Sequence, residues 1–69
     1  MDERFENWFV YHTPTAEQVV SYQRIRNKAK ELAYVILEET PVSADQTAAL
    51  RKLRECVATA NASIACGGK

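Results

Sequence analysis

Apolar residues fall into three runs along this chain, separated by two prolines. From Gln18, the positions Gln18, Tyr22, Ile25, Ala29, Leu32 and Ile36 recur in alternating four- and three-residue steps, and Ala33 and Leu37 widen the stripe. That stepping belongs to a helix with one face laid against another helix. Thr15-Ala16-Glu17-Gln18 has the form of a capping box at its start, and Pro41 disfavours helix at Thr40, so a long helix is predicted over about 15–39. Leu50, Leu53, Val57, Ala60 and Ile64 repeat the stepping behind a second capping box, Ser43-Ala44-Asp45-Gln46, and Gly67-Gly68 stops it, giving a helix over about 43–65. A turn of about four residues between two long helices forces an antiparallel hairpin. Phe5, Trp8 and Phe9 stand at i, i+3 and i+4 ahead of the break at Tyr11-His12-Thr13-Pro14, with Asp2, Glu3 and Glu6 near the start. They predict a short helix over about 2–10, too short to be stable unless its aromatic face docks, and core packing is the expected role of Trp8.

The expected fold is therefore all-α: a single helical-hairpin domain, 1–69, with a short N-terminal helix. Two helices packed on each other cannot bury enough apolar surface to order 69 residues. Self-association into a helical homo-oligomer is the expected remedy. The second helix carries Ala48, Ala49, Ala58, Ala60, Ala62, Ser63 and Ala65, small residues that let several neighbouring backbones approach. Cys56 and Cys66 lack zinc-ligand spacing and read as free thiols of a cytoplasmic protein, with an intermolecular disulfide as the minor alternative. No apolar run is long enough to cross a bilayer, and Met1-Asp2-Glu3 is unlike a signal peptide's basic start, so neither membrane nor export is expected.

Charge changes the picture locally. The formal net charge is zero, yet Arg24, Arg26, Lys28 and Lys30 form a run with no acid between Glu17 and Glu31. Local helix stability does not explain it, because cations favour a helix C-terminus and this helix ends on Glu38 and Glu39. So concentrated a charge in a neutral protein points to a small anionic ligand and away from duplex nucleic acid, whose binding grows with each phosphate neutralised. Gln18, Tyr22, Arg26 and Lys30, four apart, form a ridge beside the apolar seam, and Tyr11 and His12 lie just before the helix. A tyrosine supplies a face for stacking a base, and Arg26 and Lys30 supply charge-assisted hydrogen bonds to a phosphate. A solvated cation face, a partly buried Tyr11 and a turn-forming His12 are the plain alternatives. Asn61, set among alanines, is either a register-setting amide at an interface or a hydrogen-bonder to ligand.

No enzyme is indicated. One histidine, no triad, no glycine-rich phosphate loop and no cluster at metal-ligand spacing leave neither catalytic residues nor a metal or cofactor site. Two other binding readings remain: a protein-interaction adaptor anchored by the Phe5/Trp8/Phe9 face, and, with less support from the neutral charge, a small DNA-binding dimer.

Tyr11-His12-x-Pro14, Gln18, Tyr22, Ile25-Arg26, Ala29-Lys30, Leu32-Ala33, Pro41-x-Ser43 and Ala60-Asn61-Ala62-Ser63-Ile64-Ala65 together resemble a phage family of helical-hairpin proteins. That family contains the anti-CBASS cyclic-oligonucleotide sponges, whose hairpin is related to one in the anti-Thoeris sponges. The resemblance runs from Tyr11 to Ala65. It implies a phage protein in the cytoplasm of the infected bacterial host that assembles as a homohexamer and sequesters immune cyclic dinucleotides without cleaving them. It further implies a tyrosine stacked on a base and a basic residue on phosphate at a junction of two subunits, with cyclic trinucleotides held by some members in separate pockets. On this chain Tyr11 matches the stacking aromatic, and Arg26 or Lys30 the phosphate contact. The segment before Tyr11 carries no inherited role.

Overall fold

A computed structural model describes residues 1–69. It contains three helices, α1 (Glu3–Trp8), α2 (Ala16–Glu39) and α3 (Ala44–Ala65), and no strand. α2 and α3 pack antiparallel as a helical hairpin, while α1 makes no backbone packing with either. No helix is long and apolar enough to cross a membrane.

α2 begins as its sequence dictates. Thr15 accepts from the Gln18 N–H at 3.1 Å, and the Gln18 side chain accepts from the Thr15 N–H at 2.9 Å, a complete capping box. Gln18 also reaches across the hairpin, its Nε2 donating to the Ile64 carbonyl at 3.3 Å. α3 starts differently from the expected reciprocal box. Ser43 Oγ accepts from the Gln46 N–H at 3.1 Å, but the Gln46 side chain turns away and donates to the carbonyls of Leu37 at 3.3 Å and Thr40 at 3.0 Å. The physical reason is a better use of its two amide protons: the last carbonyls of a helix have no intrahelical partner, and Gln46 satisfies those of α2 while its own helix is already capped by Ser43. At 7% exposure Gln46 is the one buried residue in the molecule.

α3 ends in a glycine-based cap. Gly67 and Gly68 have φ of 65° and 78°, the left-handed conformation that side chains resist, and the Gly68 N–H reaches back to the Ser63 carbonyl at 2.9 Å. Asn7 Nδ2 donates to the Cys66 carbonyl at 3.2 Å and Trp8 Nε1 to that of Lys69 at 3.4 Å, so α1 is held by its polar edges to the chain beyond α3. Its helix is shorter than the expected 2–10 because Asp2 is the N-cap, accepting from the Arg4 N–H, and Phe9 is the C-cap. The Arg4 guanidinium, followed by the Arg4 N–H, holds the Asp2 carboxyl below its ordinary value.

Trp8 departs from core packing. It is 44% exposed and stacks within its own segment, its ring centroid 5.5 Å from that of Phe5 and 6.2 Å from that of Phe9, with the Arg4 guanidinium 5.8 Å from its ring. The shape of the molecule explains this. At 47 × 28 × 15 Å the hairpin is one helix layer thick, so no apolar side chain is buried and even the seam residues Ile25, Ala29, Leu53 and Val57 are half-covered. Leu32 and Leu37, expected in the stripe, stand on its exposed flanks. Both cysteines are free thiols, Cys56 exposed and Cys66 half-buried.

Replacing Gln46 with Ala leaves two helix-end carbonyls without their donor and is expected to lower stability by about 1–2 kcal/mol. Gln46→Glu should cost at least as much at neutral pH, since a carboxylate facing carbonyls can only accept. Urea unfolding followed by circular dichroism measures both.

Candidate functional site

The cation run of α2 does not form one patch. Successive residues are ~100° apart around a helix, so alternate cations two apart point to nearly opposite sides of the seam. Arg24 and Lys28 line one groove of the hairpin with Ile25, Leu32, Cys56 and Ala60. Arg26 and Lys30 line the other, over a floor that includes Ala29, Ala33, Leu50, Leu53 and Val57.

The two grooves differ electrostatically. Lys28 Nζ lies 3.3 Å from Glu31 Oε2, which offsets part of the charge of the first. The second holds Arg26, Lys30 and a cation from the other helix, Arg54, with no carboxylate in its lining. The protein's two ion pairs are Arg4–Asp2 and Lys28–Glu31, so none of these three cations is paired.

Residue type and spacing alone do not single out Arg54, although a signal exists. The hairpin register that sets Gln18 against Ile64 and Leu37 against Gln46 also sets Lys30 opposite Arg54. Finding it requires folding the sequence about the Pro41 turn and asking which charges then face each other.

The expected ridge of Gln18, Tyr22, Arg26 and Lys30 is continuous but oblique. Each four-residue step overshoots a full turn by about 40°, so the row begins in the seam and leaves it. Gln18 and Tyr22 are half-buried there, whereas Arg26 and Lys30 are exposed in the groove. Asn61 occupies the α3 side of the seam at the level of Tyr22 by the same register, and its Oδ1 is shielded from solvent with no hydrogen-bond donor in the chain.

Tyr11 and His12 lie at the other end of the ridge, in the extended segment between α1 and α2. Tyr11 is 83% exposed and takes part in no hydrogen bond or ring stacking within the chain. His12 is half-buried and its Nε2–H donates to the Asn7 carbonyl at 2.6 Å, a contact that fixes the tautomer, since a carbonyl can only accept. The backbone bond occupies one ring nitrogen and leaves Nδ1 free for a partner. At ~1.5 Å rise per residue, Arg26 lies roughly 15 Å and Lys30 roughly 20 Å along the axis from Ala16 at the helix start. One chain therefore brings Arg26 and Lys30 together with Arg54, and Tyr22 with Asn61, but does not bring Tyr11 to the cations. His, Cys, Asp and Glu side chains form no cluster that could hold a metal ion.

No curated protein and no solved structure matches the chain. A family model does, described as "Acb2/Tad1, hairpin domain", and it covers residues 1–65, taking in α1, the Tyr11-His12 segment and both arms of the hairpin. With the match spanning nearly the whole chain and an architecture of two antiparallel helices, this protein belongs to the Acb2/Tad1 hairpin family, that of the anti-CBASS and anti-Thoeris sponges.

Proposed function

We propose that this chain is a phage-encoded sponge that binds host immune cyclic dinucleotides, sequesters them without cleavage and so blocks CBASS signalling. Family membership over residues 1–65 carries this reading, since it implies a sponge-type function that binds cyclic nucleotides. The geometry adds two supports. Tyr11 offers an unoccupied aromatic face, and Arg26 and Lys30 offer unpaired cations over an apolar floor, the two chemistries a nucleotide's base and phosphate require. Their separation within one hairpin fits a junction in which one subunit supplies the ring and its neighbour the cations.

A cyclic dinucleotide carries two bases and two phosphates, so a twofold junction meets each half with the same pair of residues. Tyr11 stacks on a base, Arg26 or Lys30 holds phosphate, and His12 Nδ1, Tyr22 and Asn61 stand as further candidate contacts. Cyclic trinucleotides are a second candidate ligand class, in a separate pocket. Retention then works by mass action: protein in excess over the messenger, with a dissociation constant below the signalling threshold, keeps the free messenger too low to activate its effector. No group on the chain needs to turn over, and cytoplasmic residence in the infected host follows from where the messenger is made.

Assembly belongs to the same proposal. With no apolar side chain buried in the single hairpin, and with Val20, Tyr34, Val35, Leu37 and Val42 exposed, stability comes from covering these faces with other copies, up to a homohexamer. The protein is accordingly expected to sediment as an oligomer, with a melting temperature that rises with protein concentration. A stable lone monomer would remove the junction and with it the site.

The exposed Phe5/Trp8/Phe9 cluster, in which Phe9 is 82% exposed, favours one second reading, a helical adaptor for a host protein. Ligand binding separates the two. For the sponge, adding cyclic dinucleotide raises the melting temperature, intact ligand is recovered after denaturation, and Tyr11→Ala and Arg26→Ala each weaken binding by about 1–3 kcal/mol in calorimetry while the oligomer persists. For the adaptor, no cyclic nucleotide moves the melting curve, and Trp8→Ala is the substitution that abolishes partner binding. Linear products in the recovered ligand would instead identify a phosphodiesterase.

A further inference from the structure

We propose that Arg54, on α3, is a third ligand-contacting cation of this site and closes the phosphate side of the groove opposite Arg26 and Lys30. The inference rests on the dinucleotide-binding reading above and adds to it a residue from the other helix.

The first observation is the contrast between the two grooves flanking the α2–α3 seam. The groove with Arg24 and Lys28 has one of its two cations engaged by Glu31 and is otherwise lined by apolar and small side chains. The groove with Arg26, Lys30 and Arg54 has three cations, all without an ion-pair partner, and no acid in its lining. Each groove flanks the same seam, so packing needs alone do not account for the difference.

The second observation is the register. Folding about the Pro41 turn sets Lys30 opposite Arg54, like charge facing like charge across the two helices. A hairpin selected only for its own stability gains from an acid at one of these positions, and Glu55, the next residue along, is turned ~100° away from the Arg54 direction. Uncompensated cations facing each other make sense when an anion sits between them.

The chemistry of Arg54 fits that anion. A guanidinium presents a planar fork that meets two phosphate oxygens at once, and its weak hydration lets it do so beside an apolar floor such as Leu50, Leu53 and Val57. Low-dielectric walls beside three cations concentrate the positive potential in the groove. With Arg26 on one helix and Arg54 on the other, a phosphodiester is gripped from two sides, which fixes its orientation as well as its charge. The groove is an open depression of about 350 Å³, near the lower end of small-molecule sites. That is room for one phosphate with its sugar, and it leaves the bases to project toward Tyr11 of a neighbouring copy.

The test is calorimetry of the full-length protein with cyclic di-AMP and cyclic di-GMP, comparing wild type with Arg54→Gln, Arg54→Lys and Arg51→Gln. Arg51 is the control: it carries the same charge on the same helix and does not line the groove. Arg54→Gln is expected to weaken binding about tenfold or more, Arg54→Lys by less, because it keeps the charge and loses the fork, and Arg51→Gln by under about twofold. Circular dichroism and sedimentation confirm that each variant keeps its helices and assembly; if Arg54→Gln loses either, comparing Arg54→Lys with Arg51→Gln decides the same question. Equal effects at Arg51 and Arg54 would reduce the groove to diffuse electrostatics and overturn the proposal. An unchanged Arg54→Gln beside a weakened Arg26→Ala overturns it while leaving the sponge reading intact. A wild-type protein that binds neither ligand, with no shift in melting temperature, overturns the sponge reading itself.

Discussion

A slab one helix thick has no inside. In a hairpin 15 Å across its thinnest dimension, each side chain of the α2–α3 seam has the partner helix on one side and solvent close on the other, so none of the apolar residues reaches full burial. Everything else about the molecule follows from that constraint. The polar contacts become the specific ties of the single chain, and the apolar faces stay largely uncovered.

Those ties share one chemistry. Gln46 donates to the carbonyls that end α2, Gln18 donates to a carbonyl in the last turn of α3, and Asn7 donates to the carbonyl just beyond it. Helix ends leave carbonyls without partners, and side-chain amides are suited to them because they carry two donors on a short, uncharged arm. Two of these amides, Gln18 and Gln46, tie α2 to α3 at the two ends of the hairpin and so mark its register. Register in turn decides which charges meet: Lys30 faces Arg54 because Gln18 faces Ile64 and Leu37 faces Gln46. The concentration of charge in the groove is thus tied to how the helices are capped.

The division of the cation run between two grooves lets a protein concentrate positive charge locally without being basic overall. Half of the run, Arg24 and Lys28, is placed where Glu31 offsets one member, and the other half is concentrated with Arg54 where nothing does. The net charge is zero, while one groove retains a local positive field over an apolar floor. Tyr11, held out from the opposite end of the hairpin, gives an aromatic surface with no competing partner inside the chain. In the proposed assembly, local charge, an open ring and incomplete burial would serve one and the same junction.

Helix positions, the antiparallel hairpin and most residues of its seam, though not Leu32 and Leu37, are legible in the amino-acid order, because a helix's apolar period, its capping residues and its terminating Pro and Gly are local properties that need no partner to act. Tyr11, Arg26 and Lys30 can be nominated for the proposed site for the same reason, since residue type and spacing define the chemistry they offer. The fate of Gln46 is not legible: Ser43 and Gln46 spell a reciprocal cap, and only the arrival of the α2 carbonyls beside Gln46 diverts its side chain across the turn. Trp8 reads as core from its spacing for a related reason, because aromatic periodicity tells that a face exists but not whether the fold is thick enough to cover it. Arg54 emerges only with the tertiary structure, since a charge's significance depends on what stands opposite it, and opposition across a hairpin is set by register over many residues rather than by any local pattern.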